Sequence, residues 1–151
     1  MIYIVEGVNG VGKSNYCSEL SKYLNIPVLR QSRPETRQAA MRDPIALYEI
    51  INAFKIDSFI IDRFYPSEFV YHPHYFEDFA KIEDIYKDIS VLIYLMATKE
   101  IILERWSKRK EKINYNLDIL MDKFEEFLSR TALTTIILHS KEGKNYAKVT
   151  L

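Results

Sequence analysis

The chain is poor in glycine, has a single cysteine and carries no excess of either charge. Only four glycines occur in 151 residues, and three of them, Gly7, Gly10 and Gly12, fall in one short stretch. With Cys17 as the lone cysteine no internal disulfide can form, and a reducing cytoplasmic setting is the expectation. Lys plus Arg number 21 and Asp plus Glu 21, for a formal net charge of zero. That balance argues against a protein that holds long nucleic acid by bulk charge, while leaving a local basic patch open. No apolar run is long enough to span a bilayer, and no basic segment precedes the first apolar one. The sequence therefore predicts no transmembrane helix, no signal peptide and no membrane partner. Repeats, low-complexity tracts and Gly/Ser linkers are absent too, so residues 1–151 read as one domain.

What is present suffices for a soluble core, with 48% hydrophobic and 28% charged residues. Ile2-Tyr3-Ile4-Val5 reads as a short buried strand, followed by a helix over 13–24 with Cys17, Leu20 and Leu24 on one face. Ile26-Pro27-Val28-Leu29 reads as a second strand. Residues 30–43 are polar and carry Arg30, Arg33, Arg37 and Arg42, which predicts a loop or short helix near an anionic ligand. A helix is expected to start near Pro44, a favoured first-turn residue, and to reach about Phe54. Ser58-Phe59-Ile60-Ile61-Asp62 is an apolar strand ending in a carboxylate. After an aromatic stretch, 76–88 reads as helix and Val91–Leu95 as a fourth strand. Thr98 can cap a helix over 99–112, and another spans 116–130. Thr135–Leu138 makes a fifth strand, with 146–151 as an added edge. Short apolar strands alternating with helices predict an α/β fold, a parallel sheet covered on both faces.

The glycine cluster forms Gly7-Val8-Asn9-Gly10-Val11-Gly12-Lys13-Ser14, which fits G-x-x-x-x-G-K-[ST]. Placed between strand and helix, such a loop curls its N–H groups around a phosphate, and the helix N-terminus adds partial positive charge. Lys13 can reach the outer phosphates and the Ser14 hydroxyl can take a site on Mg²⁺. ATP and Mg²⁺ are the expected ligands. Asp62-Arg63 stands at a strand end, where open parallel sheets place their ligands. The aspartate can hold Mg²⁺ or accept a proton from an attacking hydroxyl; the arginine can clamp a phosphate with its planar fork. Arg105 and Arg109 share a helix face. Charge pattern alone makes them a solvated face beside Glu104 and Glu111; near a triphosphate they could stabilise the transferred group. No guanine-specifying Asn/Thr-Lys-x-Asp motif occurs, so a kinase is favoured over a GTPase.

In this order, Glu6 through Ser14, Asp62-Arg63-Phe64-x-x-Ser67 and Arg105-x-x-x-Arg109 resemble thymidylate kinases and the related deoxynucleoside kinases. The resemblance runs from Ile2 to about Leu138. It implies a P-loop NTPase fold, three layers α/β/α with a five-stranded parallel sheet, and γ-phosphoryl transfer from ATP to a nucleotide or nucleoside. It also implies roles. Asp62 would support Mg²⁺ and the acceptor, Arg63 would bridge donor and acceptor phosphates, and Arg105 and Arg109 would belong to a lid over about 99–115. Arg30 would hold the acceptor monophosphate, with Glu6 and Ser67 nearby. The family commonly has aspartate at the position of Asn9, and more chain between Arg30 and Asp62. Thymidylate kinases often dimerise, so a homodimer is allowed. The leading expectation is a deoxynucleoside monophosphate kinase. The alternatives are a nucleoside or a DNA or RNA hydroxyl as acceptor, or a non-catalytic ATP-binding module.

The remaining signals are weaker. Within the aromatic run 64–76, Phe64, Phe69 or Tyr71 could stack on an acceptor base. His72 and His74 make half of a metal site without a third ligand nearby, and Cys17 reads as a core residue. By fold analogy, residues 140–145 could lie beside adenine.

Overall fold

A computed structural model describes residues 1–72, 79–109 and 115–140. Five strands, β1 (Ile2–Glu6), β2 (Val28–Arg30), β3 (Phe59–Asp62), β4 (Ser90–Met96) and β5 (Thr134–His139), form one sheet in the order β2-β3-β1-β4-β5. Every pairing is parallel, as the apolar strand runs require. The order of progression reverses at β1, so the loop after it opens at the carboxyl edge where such sheets bind ligands.

The helices are α1 (Lys13–Leu24), α2 (Arg37–Phe54), α3 (Tyr65–Tyr71), α4 (Phe79–Tyr86), α5 (Lys99–Ser107) and α6 (Leu117–Arg130). Right-handed crossovers put α1 on one face of the sheet and the later helices on the other. Accordingly α2 packs on α3 and α4, and α3 on α6. Ile4, Val5, Ile60, Ile61, Leu92 and Leu95 are buried at the sheet's centre, with Leu20 on one side and Phe124 and Phe127 on the other. Among the described residues no helix is long and apolar enough to cross a membrane.

Three boundaries and one helix differ most from the sequence reading. β2 starts at Val28, because Pro27 lacks an N–H and offers only its carbonyl, which accepts from Ile60 N at 2.9 Å. α2 starts at Arg37, not Pro44: the Thr36 hydroxyl accepts from Ala39 N at 3.1 Å and caps the helix seven residues earlier. Pro44 is carried inside it, where its carbonyl accepts a 2.6 Å bond from the Tyr86 hydroxyl at the end of α4. α5 ends at Ser107; residues 110–112 of the expected helix, and the tail strand at 146–151, lie outside the described residues. Finally, the aromatic stretch after β3 folds as α3, which the sequence reading did not assign.

Candidate active site

The loop between β1 and α1 carries glycines at positive φ. Gly7, at φ 148°, is required sterically: a Cβ there would come within 2.6 Å of the Leu95 carbonyl oxygen and 2.9 Å of Val11 Cγ1. Gly12, at φ 103°, precedes α1 and has no side chain to cap it, which leaves the helix start to an anion. Lys13 is 7% exposed, and its Nζ donates to the carbonyls of Gly7 at 2.5 Å and Val8 at 3.0 Å.

Burial pulls the Lys13 pKa down to about 8, with Arg63 adding repulsion against the opposing pull of Glu6 and Asp62. Lys13 is thus harder to protonate in the fold than in the unfolded chain. Between about pH 8 and the ordinary 10.5 the unfolded state binds more protons, so stability rises with pH across that window. The unfolding free energy of the wild type minus that of Lys13→Met should grow by roughly 2 kcal/mol from pH 8 to 10. Denaturant titrations at the two pH values measure it, and a flat difference refutes the assignment.

Beside the loop, the Ser14 hydroxyl donates to Asp62 Oδ2 at 3.0 Å, and Arg30 Nε lies 3.6 Å from the same oxygen. Asp62 is 8% exposed at the end of β3, and Arg30 ends β2 directly alongside, in register with it. A hydroxyl and a carboxylate beside a buried ammonium form the hard oxygen set that suits Mg²⁺ and a triphosphate.

Arg63 follows with φ 73°, a left-handed conformation that costs a non-glycine residue about 1 kcal/mol. Its Nη2 donates to Asn9 Oδ1 at 2.6 Å, and its guanidinium lies 6.0 Å from the Tyr71 ring centre. Arg33 approaches the same ring, at 5.5 Å, and donates to the Tyr115 hydroxyl at 2.8 Å. Burial raises the Tyr71 hydroxyl pKa, while Arg63, the Asn9 backbone N–H and Arg33 pull it back.

Glu6, the last residue of β1, is fully buried. Its Oε1 accepts from Phe64 N at 2.8 Å and Ser67 N at 3.2 Å, and its Oε2 from Ser67 Oγ at 2.7 Å. The carboxyl therefore caps α3, which starts at Tyr65 with no local side-chain cap. Burial raises the Glu6 pKa, and Lys13 opposes the shift. In α3, burial and the nearby Glu6 push Glu68 up to about 7, against the pull of Arg33 and Arg63. Its Oε2 lies 3.9 Å from His72 Nε2, whose own pKa burial lowers.

On the far side of the loop lies α5. Arg105 Nη1 donates to the carbonyls of Gly10 at 3.0 Å and Val11 at 2.9 Å, and Trp106 Nε1 donates to the Asn9 carbonyl at 2.6 Å.

The structure thus joins Glu6, Asn9, Lys13, Ser14, Arg30, Arg33, Asp62, Arg63, Ser67, Tyr71 and Arg105 in one connected region. Arg37 and Arg109 lie on the surface. Arg37 is exposed at the start of α2, beside a shallow groove with Met41 and Ile45. Arg109 is exposed beyond α5, its backbone N–H on the Trp106 carbonyl. Cys17 is buried against the sheet, with its pKa raised by burial. His74 and residues 141–145 lie outside the described residues. Sequence reasoning missed Glu68, Trp106 and Tyr115. Trp106 is the only tryptophan, adjacent to a flagged arginine, and that was the available signal; Tyr115 carried none.

No protein-family model matches the sequence, and neither does any curated protein. Solved structures do. The YorR protein from Bacillus subtilis, in complex with phosphorylated GDP, shares 28% identity over 92% of this chain and 85% of its own, with a TM-score of 0.68. A deoxyadenosine kinase from M. mycoides with bound dATP shares 18% identity over 92% of this chain and 91% of its own, TM-score 0.57. A thymidylate kinase from Ehrlichia chaffeensis shares 15% identity over 97% and 90%, TM-score 0.55. The chain has the P-loop kinase fold, as a divergent example of it.

Proposed function

We propose that this protein is a kinase that transfers the γ-phosphoryl group of ATP to a deoxynucleoside monophosphate. The observation that carries the reading is the junction of the phosphate loop with Asp62, Arg63, Arg30 and Arg33 along the carboxyl edge of β1, β2 and β3. Lys13 and the loop would hold the donor phosphates, and Ser14 and Asp62 would hold Mg²⁺. Bound Mg-ATP supplies the group that is transferred. Asp62 accepts a hydrogen bond already and is placed to orient an acceptor oxygen. Arg63, between Asn9 and Tyr71, reaches toward both halves, so the work is positioning and charge stabilisation rather than covalent catalysis.

Charge favours a phosphorylated acceptor. A neutral nucleoside hydroxyl does not call for three guanidinium groups, whereas a monophosphate does. After β2 come Gln31, Ser32 and Arg33, with no carboxylate among them. The phosphorylated GDP in the YorR structure supports a phosphate-bearing ligand for this fold.

The protein is incubated with γ-labelled ATP and separate pools of nucleosides, nucleoside monophosphates and oligonucleotides. Label should enter the monophosphate pool. Label in nucleosides alone, or in oligonucleotides with strong inhibition by salt, overturns the acceptor assignment. Arg33→Ala should raise the acceptor KM by about tenfold or more and leave that of ATP unchanged, because a charge-assisted hydrogen bond to phosphate is lost.

A further inference from the structure

The peptide planes of the phosphate loop are held from behind. In a trans peptide the carbonyl of one residue and the N–H of the next point in opposite directions. Trp106 Nε1 holds the Asn9 carbonyl, and Arg105 Nη1 holds those of Gly10 and Val11. Turning the Asn9 and Val11 carbonyls toward α5 aims the N–H groups of Gly10 and Gly12 to the opposite side, where a phosphate would lie. The indole also sits flush on the backbone: a Cβ on Gly10 would lie 2.8 Å from both Trp106 Cδ1 and Nε1. At φ 88° and with that ring above it, position 10 tolerates only glycine.

Asn9 faces both ways. Its carbonyl is held by Trp106 and its Oδ1 by Arg63, 54 residues along the chain. Fixing the peptide plane fixes the direction of the Cα–Cβ bond, and with it the place where Arg63 finds its acceptor.

We infer that Trp106 is a positioning residue for the phosphate loop, and that Asn9 passes its effect to Arg63. One indole contact thereby sets the donor loop and the acceptor-side arginine together. Only the Arg63 half rests on the kinase reading; the loop half stands on nucleotide binding alone.

The test uses Trp106→Phe, which keeps a ring and removes the N–H, together with Asn9→Ala, Asn9→Asp and the Phe/Ala double variant. Mg-ATP affinity is measured by calorimetry and kcat at saturating substrates. Trp106→Phe should weaken ATP about five- to tenfold, the value of one hydrogen bond, and should also lower kcat. In the Asn9→Ala background that kcat loss should vanish, since the link to Arg63 is already cut. Asn9→Asp, which still accepts from Arg63, should keep kcat within about threefold of wild type, against a loss of about tenfold or more in Asn9→Ala. Trp106 is half-buried on α5, and amide exchange at Gly10 and Gly12 reads the loop independently of catalysis: it should quicken in Trp106→Phe. Wild-type ATP affinity in Trp106→Phe overturns the loop half. An equal fractional kcat loss in both backgrounds overturns the Arg63 half. A wild-type protein that binds ATP but labels no acceptor overturns the kinase reading and the Arg63 half with it, and the affinity measurement still judges the loop half.

Discussion

Replacing Lys13 with alanine is expected to cut phosphoryl transfer by at least about 10³-fold while the protein stays folded. The magnitude follows from the role proposed for Lys13, a cation that would stabilise the transferred charge from a buried position. The fold should survive because the ammonium is an electrostatic liability there. Burial and Arg63 both disfavour its charged form, and the pull of Glu6 and Asp62 offsets only part of that cost. Single-turnover assays with γ-labelled ATP, beside a thermal melt of the same sample, separate the two claims. Unchanged turnover sinks the active-site assignment; lost turnover with a collapsed melt says instead that Lys13 is structural.

Glu6 presents the opposite case, with a large effect on stability. Glu6→Leu keeps the apolar bulk and strips α3 of its cap. Three buried donors, Phe64 N, Ser67 N and Ser67 Oγ, lose their acceptor, at about 1–3 kcal/mol each. Removing a carboxyl that burial already disfavours returns some of this, so a net loss of roughly 3 kcal/mol is expected. For a domain of this size that is about 10 °C in melting temperature. Glu6→Gln retains a carbonyl for the two N–H groups, and the Ser67 hydroxyl can rotate to accept from the amide. Its loss should be about 1 kcal/mol. If the two variants melt alike and close to wild type, α3 is held by its apolar contacts and not by this cap.

These two residues also mark how far the sequence could be read. Lys13 was legible because its neighbours announce it. A glycine-rich turn, a lysine and a hydroxyl at fixed spacing have one strong physical reading between a strand and a helix. β1, β3 and β4 were legible for a similar reason, since a strand buried on both faces is apolar throughout. α3 was not legible, because what starts it lies 58 and 61 residues away at the end of β1. The start of α2 was misplaced because Pro44 reads as a first-turn residue, whereas the chain caps the helix with Thr36 and starts it seven residues earlier. The arginines proposed for the acceptor fall between. Arg30 was singled out by the family resemblance, but the surroundings of Arg33 need Tyr71 and Tyr115 brought beside it, and Arg37, of the same polar run, is exposed at the start of α2. The loop's clamp by α5 was out of reach, because it joins positions 9 and 106 through a backbone carbonyl that no side-chain pattern encodes.

The indole on that clamp is the chain's sole tryptophan. Its indole emission therefore has a single origin, against the loop between β1 and α1. The unlabelled protein carries its own optical gauge of that loop, with no second indole to dilute or confuse the signal when nucleotide arrives.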